Sequence, residues 1–250
     1  MSDGKVLLVT GGSRGIGAAV ALGAAREGWR VAVNYVSNAR AADLVAEQIA
    51  QAGGEAIAVP GDVGREADIL SMFEAVDRRW GRLDGLVNNA GVVDRMARVE
   101  TMSAARLERM FRINVIGSML CAREAVKRMS TAHGGHGGVI VNLSSAAARL
   151  GSPGWYVDYA ASKGAIDTFT RGLALEVAGE GIRVNAVRPG IIATDIHASG
   201  GEPDRVAQVR AGLPMKREGQ AHEIADGVLY LLSDKASYVT GAILDIAGGR

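Results

Sequence analysis

Tyr159-Ala160-Ala161-Ser162-Lys163 sets a phenol and an ammonium four residues apart. On a helix, residues at that spacing share a face. A free phenol titrates near pH ~10, too high to exchange protons readily at neutral pH. A nearby ammonium stabilises the phenolate and lowers that value. The phenol then becomes a usable general acid or base. The pair alone is weak evidence, because chance produces such spacings. Its weight comes from the other polar groups that the chain delivers to the same place.

The second cluster is the turn Thr10-Gly11-Gly12-Ser13-Arg14-Gly15-Ile16-Gly17. A tight turn needs positive φ, a pyrophosphate needs close backbone approach, and the following helix must pack near a strand; glycine serves all three. The helix N-terminus then offers N–H groups and a positive dipole end to phosphate. The spacing Gly11, Gly15, Gly17 is looser than the usual dinucleotide fingerprint. No lysine followed by Ser or Thr is present, so this is not a triphosphatase loop. With 34 glycines in the chain, it is the position between a strand and a helix that gives the cluster meaning.

About 20 residues further on, a chain that binds NAD usually carries Asp or Glu for the ribose 2′-hydroxyl. Here Asn34-Tyr35-Val36-Ser37-Asn38 contains no acid. Arg14 in the turn, with Ser37, Asn38 and Arg40 after the strand, would meet a 2′-phosphate with cation and hydroxyl rather than repulsion. The expectation is a preference for NADP(H), with NAD(H) not excluded. Gly11, Ser13, Arg14, Gly15, Ile16, Gly17, Asn34, Tyr35 and Ser37 are the cofactor-binding candidates of this half.

These groups need a scaffold, and the chain alternates strands and helices from end to end. Short apolar runs predict strands at 6–10, 31–35, 55–59, 83–88, 138–144, 182–188 and 242–246. Helical patterns cover about 16–27, 39–52, 66–80, 110–129, 159–179 and 222–232. Strands that are nearly continuous apolar runs belong to a sheet covered on both faces. The prediction is an α/β fold: a Rossmann-type, doubly wound, seven-stranded parallel sheet in one domain spanning 1–250. The least regular stretch, 194–220, follows a strand end, where ligands bind in such sheets, and is expected to form a substrate lid.

The order of motifs now matters. The turn 10–17, Asn88-Asn89-Ala90-Gly91 after the fourth strand, Asn114 in a long helix, Asn142-Leu143-Ser144-Ser145 after the fifth, Tyr159-x-x-x-Lys163, and Pro189-Gly190 after the sixth occur in one sequence. With Tyr238-Val239-Thr240-Gly241 and the closing Gly248-Gly249, the whole chain resembles the short-chain dehydrogenase/reductase family. Within it, the sequence is similar to bacterial 3-oxoacyl-carrier-protein reductases and glucose 1-dehydrogenases, and closer still to an uncharacterised bacterial branch. The resemblance implies that Tyr159 exchanges the substrate proton, and that Lys163 lowers its pKa and holds the nicotinamide ribose. It implies that a serine hydroxyl holds the carbonyl oxygen, and that Asn114 bends its helix and positions a water. Asp62 and Val63 are expected at the adenine. Asn89, Ala90 and Gly91 are expected along the adenosine half, and Pro189, Gly190, Ile192 and Thr194 at the nicotinamide end. The family's serine usually lies 12–13 residues before the tyrosine; Ser145 lies 14 before it and Ser144 15. Ser145, the second serine of the Asn-x-Ser-Ser pattern, is taken as the catalytic one, with a one-residue insertion near 155–158. Trp155 and Tyr156 are candidates for the substrate pocket. A homotetramer is also implied, with helices near 106–128 and 159–178 at one interface.

Composition removes other classes. A net charge of +1 gives no basic field for nucleic acid or an anionic membrane. The single cysteine, Cys121, excludes an internal disulfide framework and a cysteine-rich zinc site. His133 and His136 lack further ligands, so no metal is expected. No apolar stretch reaches the ~18 residues of a membrane span, and no targeting segment is visible, so a cytoplasmic location is expected. The expected partner is a small carbonyl or alcohol substrate. The rival readings are a non-catalytic cofactor sensor and a dehydratase or epimerase on the same fold. A complete Asn114, Ser145, Tyr159, Lys163 set argues against a sensor, which needs no proton relay.

Overall fold

The computed structural model describes residues 4–194, 201 and 208–250. Its strands are β1 (Val6–Val9), β2 (Arg30–Tyr35), β3 (Ala56–Pro60), β4 (Gly85–Asn88), β5 (Gly138–Leu143), β6 (Ile182–Pro189) and β7 (Ile243–Ile246). All seven join one sheet in the order β3-β2-β1-β4-β5-β6-β7, and every pairing is parallel. The expected α/β class and strand count therefore hold. Because the order reverses beside β1, the ends of β1 and β4 diverge into a crevice, the usual ligand site of open α/β sheets.

The sheet is buried on both faces, and the pleat divides its side chains between two cores. Leu7 and Val9 of β1 face one layer, with helices α1 (Gly15–Arg26) and α2 (Ala39–Gln51) and the last long helix, Ala221–Leu232. Val6 and Leu8 face the other, with α3 (Glu66–Trp80) and the two central helices described next. This period-two division explains why the strands read as unbroken apolar runs. No described helix is long and apolar enough to cross a membrane.

The expected helix at 110–129 is longer and irregular. It begins as α4 (Ala104–Phe111), capped by the Ser103 hydroxyl, which accepts from the Arg106 N–H at 3.3 Å. It passes through a π-helical turn at Arg112–Gly117 and continues as α5 (Ser118–Met129). A short α6 (Ala147–Leu150), absent from the sequence reading, follows β5. The next helix, α7 (Val157–Val177), starts two residues before Tyr159, so the tyrosine sits inside the first turn rather than opening it. Between α6 and α7, Gly151, Ser152 and Gly154 all take positive φ, at 73°, 47° and 76°. The last helix is α8 (Ala221–Leu232), where Glu223 accepts from the Gln220 N–H at 2.7 Å. Of the expected lid, 195–200 and 202–207 lie outside the described residues.

Candidate active site

The carboxyl ends of the strands open onto a cleft of about 710 Å³. Its first wall is the glycine turn. Gly11 and Gly15 take positive φ, at 60° and 53°. Gly17 is held against the turn: an added Cβ would lie 2.5 Å from Asn89 Nδ2 and 3.0 Å from Gly12 Cα. Helix α1 starts with Arg14 as N-cap, in extended conformation, and its side chain makes no capping bond. The N–H groups of the first turn thus keep their capacity for an anion, as a pyrophosphate requires.

Gly11, Ser13, Arg14, Gly15, Ile16, Tyr35, Ser37, Asp62, Val63, Asn89, Ala90, Gly91, Pro189, Gly190, Ile192 and Thr194 all line the cleft. Two cofactor candidates do not. Asn34 is buried within β2, where its Oδ1 accepts from the Gly11 N–H at 3.0 Å and its Nδ2 donates to Gly61 O at 2.9 Å. It braces the turn from inside the sheet, because strand alternation aims it inward. Gly17 likewise lies behind the wall and permits the close approach without facing the cleft. Arg14 lines the cleft and forms no ion pair with a described residue, whereas Arg40 is paired with Glu47 at 2.9 Å and lies outside the lining. Asn38 reaches the cleft, but its Oδ1 already accepts from the Ala41 N–H to cap α2.

Past the turn, Thr10 ties β1 to β4. Its hydroxyl accepts from the Asn89 and Ala90 N–H groups, each at 3.0 Å. Asn89 Nδ2 donates to Thr10 O and Gly11 O at 2.8 and 2.9 Å. Between the strands, Asn88 Nδ2 donates to Asn142 Oδ1 at 3.0 Å, and Asn142 Nδ2 to the Thr170 hydroxyl at 2.9 Å. This buried ladder fixes the ends of β4 and β5 against α7.

The proton-handling candidates meet at the far end. Ser145, Tyr159 and Lys163 line the cleft together, and Ser145 is hydrogen-bonded to the Tyr159 side chain. Lys163 Nζ lies 5.7 Å from the Tyr159 ring centroid and donates to Leu143 O at 2.6 Å. Asn114 does not reach the cleft surface. It sits fully buried in the π turn, its Oδ1 accepting from the Val92 N–H at 2.8 Å and its Nδ2 donating to Val92 O at 3.0 Å. A Cβ on Gly91 would touch Asn114 Oδ1 at 3.4 Å and Lys163 Nζ at 3.6 Å, so the two side chains flank that glycine. The expected bend at Asn114 is thus a π turn. Ser144 is buried, and its hydroxyl donates to Lys163 O at 3.3 Å. Ser144 and Ser145 both line the cleft, and Ser145 Oγ accepts from the Ala147 N–H at 3.1 Å.

The net shift at Tyr159 is set by its burial: desolvation pushes the phenol above its ordinary value, and the bond to Ser145 opposes that only in part. Lys163 is itself desolvated, which pushes it down to about 8, with the Asp167 charge opposing. A buried ammonium committed to a backbone carbonyl does not offset the tyrosine's own burial. Of the two pocket aromatics, Tyr156 is buried and lines the cleft, while Trp155 is largely exposed and does not. Arg109 and the C-terminal Arg250 also line it. Neither carries a local sequence signal, since each arrives by tertiary folding.

Comparison with known proteins agrees with this geometry. A family model described as enoyl-(acyl carrier protein) reductase matches residues 11–250. The chain is 58% identical over 245 residues to an uncharacterized oxidoreductase, YgfF, of Escherichia coli (strain K12), covering 98% of this chain and 99% of that one. It is 38% identical to versicolorin reductase 1 of Dothistroma septosporum over 258 residues, 99% of this chain and 96% of the relative. Among solved structures, a double mutant of a Serratia marcescens short-chain dehydrogenase/reductase superposes with a TM-score of 0.89 at 37% identity, covering 98% of this chain and 97% of that one. The chain belongs to the short-chain dehydrogenase/reductase family. It is an oxidoreductase of that family, whose members generally bind NAD(P)(H).

Proposed function

We propose that the protein interconverts a carbonyl and a secondary alcohol, with a preference for NADP(H) and with Tyr159 as general acid/base. The observation that carries this reading is the meeting of Ser145, Tyr159 and Lys163 in one cleft that also holds the glycine turn. A dinucleotide fits the residues present: Gly11 and Gly15 take positive φ in the turn, a Cβ at Gly17 would force that turn apart, and the first turn of α1 is uncapped. Gly11–Ile16 would hold its pyrophosphate, Asp62 and Val63 its adenine, and Pro189 to Thr194 its nicotinamide end. When bound, it supplies the hydride donor or acceptor. Everything else belongs to the chain. Ser145 donates to the substrate oxygen and orients Tyr159. In the reductive direction Tyr159 donates its proton to the developing alkoxide. Lys163 brings positive charge to the phenolate left behind.

NADPH oxidation at 340 nm is the test, read against ketones, diketones, 3-oxoacyl thioesters and 2-enoyl thioesters, with Tyr159→Phe in parallel. Turnover on a carbonyl, reduced about 10²–10⁴-fold in the variant, is expected. Tight NADPH binding without turnover across the panel and a metabolite extract would favour the sensor reading.

The cofactor preference rests on Arg14 in the cleft wall and on the lack of an acid after β2. In paired titrations, Arg14→Ala should weaken NADPH about tenfold and leave NADH nearly unchanged. Equal affinities for both, unmoved by the substitution, would overturn it. A homotetramer in the cytoplasm completes the proposal. Ile116, Met119 and Leu175 support the assembly, as exposed apolar side chains on the π turn, α5 and α7, and Leu175 is 82% exposed. Light scattering that gives a monomer mass would remove this part.

A further inference from the structure

We propose that Asp167 is a positioning residue that keeps Lys163 in its charged form, through a carboxylate that Arg188 satisfies on one oxygen only. The inference rests on the reading of Lys163 as part of the proton machinery. Asp167 lies one turn beyond Lys163 on α7, at the spacing that brings side chains onto one face. Both are buried, Asp167 at 5% exposure and Lys163 at 4%. Arg188, on β6, donates to Asp167 through Nε at 3.0 Å and Nη2 at 2.7 Å, and both bonds go to Oδ2. Oδ1 is buried with no hydrogen-bond partner.

A buried pair whose only task is cohesion would spend both oxygens in a fork. Here half the carboxylate's hydrogen-bonding capacity is unspent, which is unfavourable by itself. The arrangement is accounted for if the carboxylate also acts through space on the buried ammonium four residues away, whose hydrogen bond goes to Leu143 O. The groups around Lys163 leave this task to Asp167. On α7 its neighbours are Tyr159 and Asp167. From β5 and the loop after it come Leu143 O, Ser144 and Ser145, and from the π turn Asn114, all neutral. Arg188 stands beyond Asp167, and Asp245 of β7 lies 3.6 Å from Arg188 and 3.3 Å from Arg149. Desolvation pushes Lys163 down, and the Asp167 charge is what raises it.

The test follows Lys163 directly, by NMR titration of protein labelled with ¹³Cε-lysine, the signal being assigned with Lys163→Arg. Wild type should titrate at about 8. In Asp167→Asn the value should fall by about one unit. At pH 8 the charged fraction then drops from about one half to about one tenth, and kcat/KM at that pH, relative to pH 6.5, falls about fourfold. Arg188→Gln should not lower the titration, because it removes the cation that partly neutralises Asp167. A structural role alone would move both variants the same way. Asp167→Asn combined with Arg188→Gln avoids an unpaired buried guanidinium and should still titrate below wild type. An unmoved Lys163 in Asp167→Asn or the double variant, or a fall in both single variants, overturns the proposal. Should Lys163 shift as expected while no carbonyl is turned over, the reading of function fails and this inference stands.

Discussion

Gly17→Ala puts the phosphate-binding turn under strain at its tightest point. The new methyl would sit 2.5 Å from Asn89 Nδ2 and 3.0 Å from Gly12 Cα, and closer still to the Gly11 carbonyl. Two of these three are backbone. The third cannot swing away freely, because Asn89 Nδ2 already donates to Thr10 O and Gly11 O. Overpacking of this kind costs about 1–3 kcal/mol. Giving up the Asn89 bonds would add about 1–3 kcal/mol. Replacing a helical glycine returns about 1 kcal/mol. The sum is a destabilisation of about 3 kcal/mol, or roughly 6–12 °C in a domain this size. The turn must also shift, so NADPH affinity should fall at least tenfold, by about 1.4 kcal/mol or more. Scanning calorimetry and a fluorescence titration with NADPH read the two effects. A variant that melts with the wild type and binds NADPH equally well would refute the claim that close approach at Gly17 shapes the turn.

Three further outcomes are expected. Arg106 pairs with Asp158 at 2.7 and 3.2 Å, and the Asp158 side chain is fully buried beside Tyr159; Arg106→Ala should cost about 3–5 kcal/mol in urea denaturation and lower kcat, and a neutral result in both would show the pair to be incidental. Burial holds the Cys121 thiol at about 12, so an aromatic disulfide reagent at pH 8 should label it only after unfolding; rapid labelling of the native protein would contradict the packing of α5. Lys163 falls from an ordinary 10.5 to about 8, so its charge destabilises the native state below about pH 8, and that penalty fades as pH rises toward 10.5. Lys163→Met should therefore abolish turnover yet gain about 2 kcal/mol at pH 7, after allowing for the Leu143 carbonyl left without its donor, and little at pH 10; a loss of stability at pH 7 would be decisive against it.

The sheet was legible because doubly covered strands must be apolar on both faces, as Val6–Val9 and Gly138–Leu143 are. The cleft was legible where a local rule applies: positive φ at Gly11 and Gly15, and a shared helix face for Tyr159 and Lys163. Reading failed where packing decides. Helix α4 buries only Met110, so its apolar pattern is too thin to announce itself. Asn34 has the chemistry of a ligand contact, but its place in β2 turns it toward the turn's own backbone. Arg109 and Arg250 reach the cleft from distant parts of the chain, and no spacing joins them to it. The direction of the net Tyr159 shift is not legible in the sequence, which shows the charged neighbour and hides the desolvation.

The π turn at Arg112–Gly117 lets one rod serve two clients that need different orientations. An α-helix advances about 100° per residue, and a π turn slips in one extra. The segments on either side are therefore out of phase. Before the slip, α4 aims Arg106 at Asp158; after it, α5 aims Cys121, Ala122 and Ala125 into the sheet. Deleting a single residue there would make a more regular helix and a worse protein, with either the α7 clamp or the sheet contact rotated out of aim. At the slip itself, Asn114 contacts Val92 on both its backbone groups, so the irregularity doubles as the pin that fixes the loop over Lys163.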